Sequence, residues 1–296
     1  MRALGGFMLI GRLQAVTVIS LFTMIAMSLP ALSYLISGVP AGLIILRKGP
    51  AYGMQVLLVC LLAVVLFIAL AGVNPQVALA FALGIWVPVA ICCSVLRITQ
   101  SQGWLVIAAG MIAAAYVLMV YWLIDDVPAW WLQWMEMWIK NAFPEGGGEQ
   151  YQKVLERAAP AMNAMMASGM TISLVVATFL SRWWQSALFN PGGFRTEFYA
   201  LRLPNVVLFL TLMGIGLLYT SGGQPGSAGL DILVVVIVLY LFQGLASVHR
   251  IVAAKSMSRG WLIMMYVLLL LVPQAVLLVA CLGLVDSWMI NRNKEG

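Results

Sequence analysis

Apolar runs of about 20 residues, split by short polar stretches, recur along the whole chain. Each is the length a helix needs to cross ~30 Å of hydrocarbon. No long period-two alternation appears, so the spanning segments are helices, whose backbone polar groups pair internally. The runs predict about nine spans, in a range of eight to ten, near 13–29, 31–46, 54–72, 76–96, 104–124, 161–181, 204–220, 230–249 and 261–286. The second is short and holds Pro40, which predicts a kink or a partly re-entrant segment. Trp261 and Trp288 bracket the last run. On a helix rising ~1.5 Å per residue they stand about 40 Å apart, which predicts one tilted span. A break at Pro273 is the alternative, and it returns the tail. The fold class is all-α: a polytopic transmembrane helix bundle.

The expected organisation has three parts. Residues 1–185 form a six-span bundle with a Trp-rich insertion at 125–160. Residues 186–203 form an interfacial connector, and 204–296 form the C-terminal helices of the same membrane unit. The start, "MRALGGFMLIGRLQAV", has the basic opening and apolar core of a signal peptide. No A-x-A cleavage pattern follows and further spans come at once, so it is expected to remain as the first span.

Composition agrees with a membrane protein. The 296 residues are 63% hydrophobic and only 9% charged, against roughly 25% charged in a soluble domain. The net charge of +6 suggests nucleic acid until its distribution is considered. Eleven of the sixteen basic residues fall at alternate span ends, as orientation signals do. They predict a multi-pass membrane protein with its N-terminus on the cytoplasmic side and no nucleic-acid partner. Segment 125–160 then lies on the opposite side, with six acids and three bases.

The candidate chemistry is sparse. Trp130, Trp134 and Trp138 recur every four residues, flanked by Trp131, Met135 and Ile139. Asp125, Asp126 and Pro128 mark a helix start before them, and "PEGGGE" marks its end. One reading is an interfacial helix with its rings at headgroup level. The other is an aromatic lid over a small-ligand pocket, with Trp122, Trp130, Trp134 and Asn163 as ligand-binding candidates. Within the spans the main polar residues are Gln14, Gln55, Asn163, Gln243 and Gln274; Asp231 and Asp286 fall near span ends. No acid lies at mid-membrane depth, which disfavours an ion-driven pump. Cys60, Cys92, Cys93 and Cys281 lie in apolar runs without ligand spacing, and His249 has no nucleophile nearby. Small residues four apart, as in Ala80/Gly84, Ala109/Ala113, Gly110/Ala114 and Ala164/Ser168, predict close helix packing. No P-loop, zinc motif or serine-hydrolase motif is present. No catalytic residue, metal or cofactor is expected, and any ATP-driven step belongs to another subunit.

The stretch "SRWWQSALFNPGGFRTEFYALRLP" is the most polar connector. Asn190, Pro191, Gly192, Gly193, Phe194 and Arg195 form its turn, with glycine admitting positive φ. Phe194, Phe198 and Leu201 then predict one face of a short interfacial helix. Arg182, Arg195 and Arg202 are candidate anion contacts near that turn.

That stretch resembles the signature of the YybS-like predicted bacterial membrane proteins, as do "MRALGGFMLIGRLQAV" and "LGLVDSWMINR". Residues 37–62, with Pro40, Gly42, Gly49, Pro50 and Gly53, resemble the second and third helices of substrate-binding (S) components of energy-coupling-factor transporters. That second resemblance implies an S-component-like fold for the first six spans and a substrate near the outer face. It also implies an ATPase partner. The helix-one docking pattern of those components is reduced here to Gly11/Ala15. Three functions are therefore open. They are a small-molecule transporter or substrate-binding component without its own ATPase, a non-transporting scaffold for envelope assembly, and a lipid-handling protein or flippase. Membrane lipids are partners in all three.

Overall fold

The computed structural model describes residues 2–143 and 149–295, with backbone alone for 149 and 290–295. The expected "PEGGG" break at 144–148 and the side chains of Arg292 and Lys294 lie outside the described residues. The described chain is helical, as expected for a helical membrane bundle. Among the described residues, six helices are at least 18 residues long and apolar enough to cross a membrane: Pro30–Lys48, Pro50–Leu70, Gln76–Thr99, Gln102–Leu123, Gln152–Phe189 and Ala228–Ala254. Shorter apolar helices cover Arg12–Met27, Val206–Thr220, Gly260–Leu271 and Gln274–Met289. The chain divides into two compact units, Met1–Ala109 with Ile172–Arg202, and Gly110–Thr171 with Leu203–Gly296. The division falls inside two continuous helices, Gln102–Leu123 and Gln152–Phe189.

In the first unit, α1 (Arg2–Ile10) and α2 (Arg12–Met27) are followed by a wide turn at Tyr34–Gly38 that leads into α3 (Val39–Lys48). α4 (Pro50–Leu70) comes next, then α5 (Gln76–Phe81), a second wide turn at Ala82–Trp86, and α6 (Val87–Thr99). Both wide turns stand just before a proline, Pro40 and Pro88. Proline supplies no N–H and crowds the preceding turn, so the helix widens there instead of breaking. The expected kink at Pro40 takes this form. Polar side chains tie the two turns together. Tyr34 donates to the Gly84 carbonyl at 2.7 Å, and Trp86 Nε1 donates to Ser37 Oγ at 2.8 Å. Gly49, at φ +102°, links α3 to α4, and Pro50 follows where its missing N–H costs nothing. Arg97 donates to the Leu46 carbonyl at the end of α3, where a cation is favourable.

In the second unit, α7 (Gln102–Leu123, from Gly110 on) precedes α8 (Val127–Ala142). α9 (Gln152–Phe189) runs 38 residues straight through Pro160. The span expected near 161–181 is thus the middle of a longer helix, ~57 Å at 1.5 Å per residue. Pro160 sits in its third turn and lies against the 226 turn, where Gly226 holds φ +75°. α11 (Val206–Thr220) and α12 (Ala228–Ala254) pack closely through Gly229, where a Cβ would collide with the α11 backbone. α12 and α14 (Gln274–Glu295) meet the same way, through Gly244 and Gly283. Of the expected small-residue pairs, Gly110 lies against Leu239, whereas Gly84 meets nothing within 4 Å.

The last run is not the single tilted span preferred from sequence. α13 (Gly260–Leu271) ends before Val272, whose backbone is extended, and α14 starts after Pro273. At 12 residues α13 is ~18 Å long, too short to cross. Asp286 of α14 accepts from Gln243 at 3.1 Å and from Arg250 at 2.5 Å, both in the C-terminal half of α12. Since α13 begins just after α12 ends, the 272–273 break is the apex of a hairpin. Gln274, one of the polar residues within the predicted spans, is exposed beside this break.

Candidate functional site

α8 begins as its sequence requires. The Asp126 carboxylate accepts from the Ala129 N–H at 2.9 Å, and Pro128 occupies the first turn. The four-residue spacing then places the tryptophans along one side of the helix. Trp130 packs edge-on to Trp131 at 4.8 Å and to Trp134 at 5.9 Å. Together with Met135, Trp138 and Ile139 of α8 and Leu155, Met162 and Met166 of α9, they line a groove of about 540 Å³. No charged side chain lines it. The indole N–H of Trp131 is buried and has no acceptor. The groove therefore offers apolar and aromatic surface alone.

Of the predicted ligand-binding residues, Trp130 and Trp134 line this groove. Trp122 does not; it is 83% exposed on α7. Asn163 does not either, although its neighbours Met162 and Met166 do. Its amide donates to Asp231 Oδ2 at 2.7 Å, and both residues are buried. This pair escapes sequence reasoning. Asp231 stands in the first turn of α12, where an acid reads as a favourable helix start. The signal that could have found it is the solitary acid in "SAGLDILVVVIVL".

The turn of 190–195 forms as its residues demand. Gly192 holds φ +89°, in the left-handed region. Ser186 locks it by donating to the Asn190 carbonyl at 2.6 Å and accepting from the Phe194 N–H at 3.1 Å. Phe179, Phe194 and Phe198 cluster with ring centroids 5.7–6.1 Å apart. α10 (Gly193–Tyr199) is the short helix expected here, and it ends before Leu201, the last residue of its predicted apolar face.

The three arginines do not converge on an anion site. Arg182 is engaged by both oxygens of Glu197, with Nε to Oε2 at 2.8 Å. Arg195 bonds the Tyr199 hydroxyl at 2.8 Å and is exposed, as is Arg202. Arg182 instead shares a polar cavity of about 340 Å³ with Arg97, Gln100, Gln185 and Glu197. Its carboxylate is already in place.

Residues 16–287 match the family described as predicted membrane protein (DUF2232). The chain belongs to that family. The match covers the groove, the Asn163–Asp231 pair and the 190–195 turn of this DUF2232 member. It places the chain among multi-pass membrane proteins and does not extend to the YybS-like or S-component resemblance. No curated protein and no solved structure is similar to it.

Proposed function

We propose that this protein binds the apolar part of a small amphiphile in the tryptophan groove, as the substrate-binding membrane component of a transport process. The groove carries the reading. Its volume of about 540 Å³ falls within the ~300–1,000 Å³ usual for small-ligand sites. Its lining of aromatic and aliphatic side chains selects apolar surface. In this reading the protein is no enzyme, and a partner subunit supplies any ATP hydrolysis. The basic residues favour a cytoplasmic N-terminus and the YybS-like resemblance a bacterial inner membrane; in this reading α8 is at the outer face. The S-component likeness contributes the expectation of such a partner, while the uncharged groove suits an aliphatic ligand better than an anionic vitamin. The lipid-phosphate alternative is less favoured, because Glu197 already neutralises Arg182.

The test is quenching of tryptophan emission by brominated stearate, with the full chain in nanodiscs. Saturable quenching is expected, together with its loss in Met166→Arg, a variant that puts a cation into the groove. Quenching that rises without saturation, equally in both proteins, would falsify the reading.

A further inference from the structure

Asp231 is fully buried and Asn163 is 1% exposed. Asp231 Oδ2 accepts from Asn163, but Asp231 Oδ1 and Asn163 Oδ1 have no donor. The Ser227 hydroxyl, also buried, has no partner. Two tyrosines of α7 are near the carboxylate, Tyr116 and Tyr121. The Tyr121 hydroxyl lies within hydrogen-bonding reach of the carboxylate, but its one proton is directed to the Gly226 carbonyl at 2.7 Å. Tyr219, the titratable residue of α11, is 87% exposed. Asp286 of α14 is taken up by Gln243 and Arg250. Among the described residues, no Lys, Arg or His forms an ion pair with Asp231.

This cluster has acceptors to spare and lacks a donor. A bare carboxylate, out of water and without a countercharge, is strongly disfavoured. A proton on Oδ1 removes the charge and converts an orphan acceptor into a donor, for which Asn163 Oδ1 and Ser227 Oγ are unused acceptors. A divalent metal would need about six oxygen ligands. No group of three or more His, Cys, Asp or Glu that could hold a metal occurs among the described residues. A route for the proton adjoins the site. Tyr121, Gly226 and Ser227 line a cavity of about 390 Å³ with Thr220, Ser221 and Gln224, a wall polar enough to hold water.

We propose that Asp231 is a proton-exchanging site whose occupancy sets the affinity of the tryptophan groove. On loading, an O–H bond forms on Oδ1 with a proton from cavity water. On release that bond breaks, its electron pair stays on the carboxylate, and the proton returns to the water. One turn of α9 links the two sites, since Met162 and Met166 line the groove and Asn163 between them holds Asp231. The link rests on the groove reading above; the proton site does not.

Infrared difference spectra of the full chain in liposomes test the site. A carboxylic-acid carbonyl band should fade as pH rises, and it should be missing in Asp231→Asn. The wild-type titration stands alone if that variant does not fold, and Asn163→Ala, which keeps the acid, should shift its midpoint. A band that never titrates, or that sodium ion removes at constant pH, overturns the proton site. Brominated-stearate affinity tests the link. It should change at least threefold across the same titration, and in Asp231→Asn it should not respond to pH. Saturable binding that ignores pH overturns the link. If no saturable binding occurs, the groove reading and the link fail together, while the infrared result still decides the proton site.

Discussion

Arg182, in the last third of α9, and Asp231, in the first turn of α12, are charged residues set in long apolar helices and handled in opposite ways. Arg182 meets a full countercharge in Glu197, and both side chains keep contact with solvent, at 19% and 28% exposure. Asp231 meets only neutral groups, the Asn163 amide and the Tyr121 hydroxyl, and has no exposure at all. The exposed pair needs nothing more, because water screens what the partner leaves over. The buried acid is incomplete, because one oxygen of the carboxylate and one of the amide find no donor. A side chain that completes its pairing within the protein reads as structural. One left short reads as a place where something else binds.

The largest effect should come from removing the amide beside Asp231. Asn163→Leu strips the acid of its donor, and leaving a buried polar group unsatisfied costs roughly 1–3 kcal/mol. The double variant Asn163→Leu/Asp231→Leu should recover most of that loss, because both partners are then apolar. Thermal unfolding of the full chain in a single detergent measures both. Costs that simply add would show that the two residues do not act as a pair, and the contrast with Arg182 would collapse.

How much of this was legible in the sequence depends on how far apart the partners stand. The tryptophan face of α8 was readable, since a four-residue spacing is local and so is the Asp126 cap. The 190–195 turn was readable for the same reason, although Ser186, which locks it, was not singled out. Asn163 stands out as a polar residue within a span, but its partner lies 68 residues away, and the solitary acid of "SAGLDILVVVIVL" reads first as a favourable helix start. The same limit applies to Gly244 and Gly283, whose close approach exists only once α12 and α14 are paired. Pro273 allowed either a kinked span or a hairpin. Contacts of Asp286 with Gln243 and Arg250 decide it, and proline alone does not.

A middle-sized effect should separate the 190–195 turn from the ion pair beside it. The turn is fixed by backbone conformation and by Ser186, with Arg182 taking no part in its hydrogen bonds. Gly192→Val forces a branched side chain into φ +89°, a strain of about 1–2 kcal/mol. Gly192→Asn should lose less, since asparagine tolerates that region. Equal melting temperatures for the two variants would show that the turn does not depend on the left-handed residue.

The smallest effect should come from the pair itself. Arg182→Met removes an ion pair that is partly exposed on both sides, and such pairs are worth about 0–1 kcal/mol. Magnitude alone separates it poorly from Gly192→Val, so salt is the sharper measurement. Screening acts on charges in contact with solvent and much less on buried ones. The stability gap between Arg182→Met and the parent should therefore narrow as salt rises, while the gap for Asn163→Leu stays constant. A salt-sensitive Asn163→Leu gap would mean that solvent ions reach Asp231 directly. The acid would then be as well served by solvent as Arg182 is, and the reason for a bound proton there would be gone.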